Sequence, residues 1–400
     1  MPRFPGTSPQ AGAIAASTFT AFGAELQRRQ RDPDFVALHI GESALLPPAA
    51  SRGIDLDELA IHRYGPVAGL TGLRAAQAED LGRLGLPCDV EQTFATAGAT
   101  GALDVAVSAA LQPGDEVLVC APTWPLILGI LRRHGCRPVQ VPVDPGGWLA
   151  DDGGDLGERL AAALSERTAA VYLCNPNNPA GFVYGAAASA AIAELAARHD
   201  LWVFLDAVYA DLIFEGGDPL ALARLCPDRT FVVTSFSKSY SLAGHRVGGL
   251  AAPPAAAPLI PRLLTHSTYH ASVLAQRMAL AALTAPDAAE ERARRLEAAR
   301  AGARLALDIL RSVPGLRVVG PPSAGTFLFL DLAAVCADEA ALLELLQRCL
   351  AAGVSLAPGG AFGEAFRRCA RLCFTATDLA ALEVGVRRLA EVVGNAGRST

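Results

Sequence analysis

Lysine is almost missing from this chain. Among 34 basic residues in a length of 400, Lys238 is the only lysine and the others are arginine. Charge of either sign is scarce, at 18% of residues, and the formal net charge is −6. A nucleic-acid partner calls for a basic face against its phosphates, which this composition does not offer. No apolar run approaches the ~20 residues that cross a bilayer. The segment Met1 to Gln10 holds proline and glycine but no apolar core, so no secretory signal is read there. The nine cysteines (Cys88, Cys120, Cys136, Cys174, Cys226, Cys336, Cys349, Cys369 and Cys373) form no CxxC pair, and several sit in apolar runs. Buried reduced thiols in a cytoplasmic protein, and no metal site, are expected.

What is abundant is apolar: 52% of the residues are hydrophobic, enough for a large core. At roughly 100–200 residues per domain, the length suggests two domains. Coding bias toward arginine and alanine accounts for the missing lysines. It does not account for the one that remains. Arginine stays protonated, whereas a lysine amine can lose its proton and attack a carbonyl.

Residues 1–44 read as an N-terminal arm with one helical stretch, Ala13 to Arg29. Beyond it, apolar strands alternate with helices. Val117 to Cys120, Ala169 to Leu173, Leu201 to Leu205 and Phe231 to Thr234 read as strands. Ala99 to Leu111, Leu126 to His134, Leu156 to Ala163 and Ala186 to His199 read as helices. Such alternation predicts an α/β domain with a mainly parallel sheet. Ligands of these sheets gather at the carboxyl ends of the strands, and Asn175, Asp206 and Ser235 each follow an apolar run. After Pro286 a helix is expected to Arg311, then strands Arg317 to Val319 and Thr326 to Leu330. Asp338 to Ala351 and Asp378 to Val393 read as helices, each opened by an aspartate N-cap. The expected division is 1–44 as arm and part of a small domain, 45–286 as a large domain, and 287–400 as a small C-terminal domain.

Four blocks carry chemistry. Gly98-Ala99-Thr100-Gly101 precedes the helical stretch Ala102 to Leu111. Small residues at a helix start leave N–H groups free, and the helix dipole favours an anion there. Many helices begin this way, so the block is weak alone. Ser235-Phe236-Ser237-Lys238, followed by Gly244-His245-Arg246-Val247-Gly248, is stronger. Hydroxyls and a guanidinium can bind a phosphate dianion while the lysine lies beside an aldehyde that the phosphate anchors. The plain alternative is a polar turn with a surface lysine. Asp206 ends an apolar strand, where a carboxylate can pair with a protonated pyridine nitrogen or simply cap the next turn. Tyr209, three residues on, can bond a phenolic ring oxygen. Asn175-Pro176-Asn177-Asn178-Pro179-Ala180-Gly181 enforces a tight turn after a strand and can present an amide to the same oxygen.

The order and spacing of these blocks resemble the class I/II aminotransferases, pyridoxal 5′-phosphate (PLP) enzymes with the aspartate aminotransferase fold. The resemblance runs from about Ile40 to Phe374. It implies a PLP-dependent transferase fold, with a large domain built on a mainly parallel sheet flanked by helices, plus a smaller α+β domain. It implies that Lys238 forms the Schiff base and later shuttles a proton, and that Asp206 pairs with the pyridine nitrogen. Asn178 and Tyr209 would bond the ring oxygen. Ser235, Ser237, Arg246 and the backbone at Ala99 and Thr100 would hold the phosphate. Trp124 would stack on the ring. Tyr64, in Tyr64-Gly65-Pro66, would reach the phosphate of a neighbouring subunit, which makes a homodimer with shared active sites the expected assembly. Arg371 would clamp the substrate α-carboxylate, with the backbone of Gly41 facing it and Asn178 and Trp124 nearby; Arg367 and Arg368 read as surface helix charges.

The implied reaction moves an amino group from an L-amino acid to a 2-oxo acid through pyridoxamine phosphate. One departure bears on the substrate. Some bacterial aspartate-type members carry a lysine in the phosphate loop to read a side-chain carboxylate, and Thr100 stands there instead. A donor with a non-acidic side chain is therefore expected. His245 and the run Thr265-His266-Ser267-Thr268-Tyr269-His270 either read a polar side chain or are packing and loop residues. The same scaffold supports a lyase, cyclase or oxidase, since the fate of the Cα carbanion depends on a few pocket groups. A non-catalytic effector module is disfavoured, because the N-terminal arm is too short for a DNA-binding domain.

Overall fold

Successive side chains of a strand face opposite ways, and in Val117-Leu118-Val119-Cys120 both sets are apolar. Such a run needs cover on both faces. It has it: Val117 and Val119 pack into one cluster, Leu118 and Cys120 into another. The same division holds along Ala170 to Leu173 and Val203 to Leu205. A seven-stranded sheet therefore lies between two helical layers. These features come from a computed structural model that describes residues 6–14, 23–29, 31–143, 153–320 and 322–397.

The strands of this sheet are β1 (Thr93–Thr96), β2 (Glu116–Ala121), β3 (Arg137–Pro142), β4 (Thr168–Cys174), β5 (Trp202–Asp206), β6 (Thr230–Ser235) and β7 (Gly248–Ala251). Their spatial order is β1-β7-β6-β5-β4-β2-β3. Only β7 runs against its neighbours; the pairs from β6 to β3 are parallel. Strand β3 carries Pro138 and Pro142 and lies at the edge, where a missing N–H is tolerated.

Beyond the sheet comes the long helix Ala288–Leu310. It is followed by a four-stranded antiparallel sheet of β8 (Arg317–Val318), β9 (Phe327–Asp331), β10 (Ala357–Pro358) and β11 (Cys369–Cys373), in the order β10-β11-β9-β8. The two expected aspartate caps are present: Asp338 accepts from Ala341 N and Asp378 from Ala381 N, both at 2.9 Å. Val36–Ala37 pairs in parallel with Val354–Ser355, which ties the start of the chain to this second layer.

Three expectations need correction. The helix expected over Ala13 to Arg29 does not start at Ala13, which with Ile14 is non-helical: the described helices are Pro9–Gly12 and Gly23–Arg29, the second within the expected span. The first begins early because Pro9 is preset for the first helical position; residues 15–22 lie outside the described residues. The stretch Gly98 to Gly101 does not precede its helix but forms the first turn of it, the helix running Gly98–Ala110. Arg367 and Arg368 sit on a turn after the short 3₁₀ segment Glu364–Phe366, not on a helix. Arg367 there faces Glu339 at 3.5 Å.

Candidate active site

The carboxyl ends of β4, β5 and β6 open onto a cavity of about 220 Å³. Every residue anticipated for the site borders it, with the exception of Tyr64. Asp206, the last residue of β5, is 3% exposed. Ser235 ends β6, and Ser237 and Lys238 follow within one turn. The Asn177 side chain ties the turn after β4 by accepting from Ala180 N at 3.0 Å, which presents Asn178 to the cavity. Arg371 arrives from the second sheet, on β11.

At one end lies an anion cradle. The helix Gly98–Ala110 points its N-terminus at the cavity, with Ala99 and Thr100 on the wall. Gly98 has φ +70°, and a Cβ there would lie 2.6 Å from the Arg246 guanidinium. A Cβ on Gly248 would lie 2.8 Å from Ala99 N. Glycine at both positions lets arginine and backbone amides converge.

At the other end is Arg371, 6% exposed. Its guanidinium donates to Asn178 Oδ1 at 3.0 Å and to the His39 carbonyl at 2.8 Å. It lies over the rings of Phe327, at 4.1 Å, and Phe362, at 4.8 Å. Its Nε has no hydrogen-bond partner. A guanidinium so fixed, with donors to spare, is prepared for a carboxylate. Burial pulls it below the usual arginine range.

Lys238 lies between the two ends, and its Nζ donates to the Gly41 carbonyl at 2.5 Å. Burial lowers its pKa, aided by Arg371 and Arg246 and opposed by Cys373 and Glu42. That shift enlarges the fraction of amine able to act as nucleophile or base. Gly41 is held close: a Cβ on it would lie 2.6 Å from the Phe327 ring. Asp206 is pushed up to about 6 by burial, against hydrogen bonds from Tyr172 and the Val208 N–H and the Lys238 charge. Asn178 Nδ2 donates to the Tyr209 hydroxyl at 3.2 Å, so the two meet at one point of the wall.

Tyr64 is 87% exposed and turned away from this cavity, in edge contact with Tyr269 at 5.3 Å and His270 at 5.8 Å. His245 and Thr265 to Tyr269 are likewise exposed and none borders the cavity. Sequence reasoning passed over Tyr172, His39 and Phe327. Tyr172 carried a signal: a phenol inside a fully apolar strand needs a partner for its hydroxyl. His39 acts through its carbonyl, which its side chain does not advertise.

A buried strand-end carboxylate, an anion cradle and a lysine of lowered basicity define a lysine-dependent enzyme of the PLP type. The residues fit that cofactor: the cradle could take its phosphate, Lys238 its aldehyde and Asp206 its ring nitrogen. The chain belongs to the aminotransferase class I and II family, whose model matches residues 33–389. It is 33% identical to the aspartate/prephenate aminotransferase of Thermus thermophilus, over 98% of this chain and 100% of that one. It is 34% identical to the arginine–pyruvate transaminase AruH of Pseudomonas aeruginosa, over 84% of this chain and 85% of that one. The solved aspartate aminotransferase from Thermus thermophilus with maleate superimposes with a TM-score of 0.86 at 32% identity, covering 97% of this chain and 100% of that one. The protein is thus a PLP-dependent transferase that moves amino groups between amino acids and 2-oxo acids. Among the described residues no helix is long and apolar enough to cross a membrane.

Proposed function

We propose that the protein takes the amino group of an L-amino acid with a non-acidic side chain and passes it to a 2-oxo acid, with Lys238 as cofactor anchor and proton carrier. The observation that carries this reading is the sharing of one cavity by the only lysine and a buried arginine with a free donor. Arg371 binds the substrate α-carboxylate, with the Gly41 backbone beside it. Asn178 and His39 prevent the guanidinium from rotating, so the carboxylate fixes the direction of the Cα–H bond. Lys238 Nζ removes the Cα proton and would deliver it two bonds further on, past the nitrogen, to the carbon that was the cofactor's aldehyde carbon. PLP, when bound, supplies the aldehyde for the amine and a ring that withdraws electrons from Cα. Asp206 would hold a proton at the ring nitrogen, Tyr209 and Asn178 would hold the ring oxygen, and Trp124 would lie against the ring. Ser235, Ser237, Arg246 and the amides of Ala99 and Thr100 hold the phosphate.

Among the described residues the cations bordering the cavity are Lys238, Arg246 and Arg371, and each already has a task. None is left to read a side-chain carboxylate, and Thr100 stands where an aspartate-type lysine would. Lys238 also borders a second cavity of about 310 Å³, where Leu45, Leu212, Phe374 and Leu379 stand beside Asp378 and Arg295; that guanidinium is already bonded to Glu291, Ser241 and the Leu46 carbonyl. The exposed Tyr64 supports a homodimer in which this side chain completes the partner's phosphate site. The nine free cysteines support a reducing, cytoplasmic setting. The pairing of Val36–Ala37 with Val354–Ser355 supports grouping the 1–44 arm with 287–400, apart from a large unit of 45–286.

The test is an absorbance titration of the PLP-loaded protein with a panel of amino acids in the absence of any 2-oxo acid. One non-acidic donor should convert the cofactor to its amine form and yield the matching oxo acid. A preference for aspartate or glutamate would refute the assignment of the donor. For the dimer, subunits carrying Tyr64→Ala and Lys238→Ala are mixed; each is weak alone, and the mixture should regain activity through one restored site.

A further inference from the structure

Tyr172 lies in the middle of β4 and is fully buried. A phenylalanine would pack there equally well, so the hydroxyl calls for an explanation. It donates to Asp206 Oδ2 at 2.9 Å. The strand register accounts for the reach. Tyr172 stands opposite Phe204 and Cys174 opposite Asp206, so Tyr172 and Asp206 share one sheet face on a diagonal. The other carboxylate oxygen, Oδ1, has the Val208 N–H at 3.4 Å, a long contact that leaves it available to a ligand.

We propose that Tyr172 is a positioning residue for amino transfer: its hydroxyl holds the Asp206 carboxylate in the charged form, so that the proton shared with the cofactor's ring nitrogen stays on the nitrogen. This rests on the reading of Asp206 as the partner of that nitrogen. A carboxylate this deeply buried favours its neutral form unless hydrogen bonds or a cation oppose the burial. The groups facing it are Tyr172 and Cys174 from β4, Tyr209 beyond β5 and Lys238 beyond β6. Burial keeps the Cys174 thiol and the Tyr209 phenol well above their usual ranges, hence neutral. Tyr172 is held protonated in the same way, by burial and then by Asp206 itself, so it remains a donor throughout the working pH range. Were the carboxylate to take the proton, the ring would be neutral and would withdraw electrons from Cα less strongly.

The experiment follows the ring nitrogen of the holoenzyme loaded with ¹⁵N-labelled PLP by NMR, alongside kcat and KM. In the wild type the signal should sit at the protonated position, and Asp206→Asn should move it to the unprotonated one. Tyr172→Phe loses a hydrogen bond to a charged group, which moves the balance of the two proton positions by about 10–100-fold. Its signal should therefore move toward the unprotonated position, kcat should fall by about tenfold or more, and KM should stay within about twofold. A second measurement keeps the shape of the side chain. In the cofactor-free full-length chain, the Asp206 carboxyl is titrated by ¹³C NMR. Tyr172→Phe should raise its midpoint by about 1–2 pH units, and Tyr172→3,5-difluorotyrosine, a stronger donor, should lower it. An unmoved ring-nitrogen signal in Tyr172→Phe, or an unmoved midpoint with the fluorinated residue, overturns the role of Tyr172. An unmoved signal in Asp206→Asn is a different result, and refutes the reading of Asp206 itself.

Discussion

Replacing Gly98 by alanine should loosen the cofactor without unfolding the protein. Gly98 opens its helix at φ +70°, and its missing Cβ is the space in which the Arg246 guanidinium lies, 2.6 Å from where that carbon would be. Two costs follow. A residue with a Cβ in the left-handed region costs about 1–2 kcal/mol of stability. The guanidinium, as the free end of a flexible side chain, swings aside and gives up its place at the anion cradle. A charge-assisted hydrogen bond contributes about 1.5–3 kcal/mol, so the Kd for PLP should rise about 10–100-fold. Equilibrium dialysis against PLP measures this, with thermal melting of the cofactor-free chain as the check on folding. Gly244→Ala, two residues before Arg246, is the control, because a Cβ there meets nothing within 4 Å. In an Arg246→Ala background, Gly98→Ala should retain its stability cost and add little to the Kd. Wild-type PLP affinity in Gly98→Ala, with Arg246→Ala clearly weakened, would refute the reasoning.

Arg371→Lys keeps one charge but loses the planar fork, so KM for the amino donor should rise about 10–100-fold, more than kcat falls; steady-state kinetics with the best donor decide it. Asp206 has a folded pKa of about 6, above its unfolded value of ~3.9. Its contribution to the cofactor-free chain is therefore fully present below about pH 4 and is lost as pH rises through 6, roughly 2–3 kcal/mol in all. Cofactor-free Asp206→Asn, which carries no charge, should melt above the wild type at pH 8, with the gap closing toward pH 4; a gap independent of pH would contradict the raised pKa. Borohydride reduction of the loaded protein should leave one modified side chain, at Lys238, and none in Lys238→Ala, as read by peptide mass spectrometry.

Much of the site was legible because its chemistry requires particular residue types at strand ends. Asp206, Ser235 and Lys238 stand directly after apolar runs, and their placement follows from the parallel sheet. Less visible were elements whose cause is tertiary. Gly248-Gly249-Leu250-Ala251 has poor strand propensity, yet it forms β7 because a Cβ on Gly248 would lie 2.7 Å from the Gly98 backbone, so a close approach outweighs propensity. Strand β3 was hidden by its two prolines, which only an edge position permits. His39 and Tyr172 escaped notice for opposite reasons. One contributes a backbone carbonyl that any residue has, and the other reads as core until the register of two strands brings it diagonal to Asp206. Tyr64 was identified by its local motif, but its outward direction depends on ring contacts with Tyr269 and His270, from a loop far along the chain.

The lone lysine gives this protein an outer surface without side-chain amines. Acetylating enzymes, glycating sugars and amine-directed crosslinkers find no lysine there to modify. The one side-chain amine they can attack lies half-buried in the cavity, where it and the substrate amine would compete for the cofactor's aldehyde. Beyond the chain's α-amine, a general amine reagent thus has a single target: its uptake at Lys238 counts the centres that PLP has left vacant, and loading with PLP protects that side chain from it.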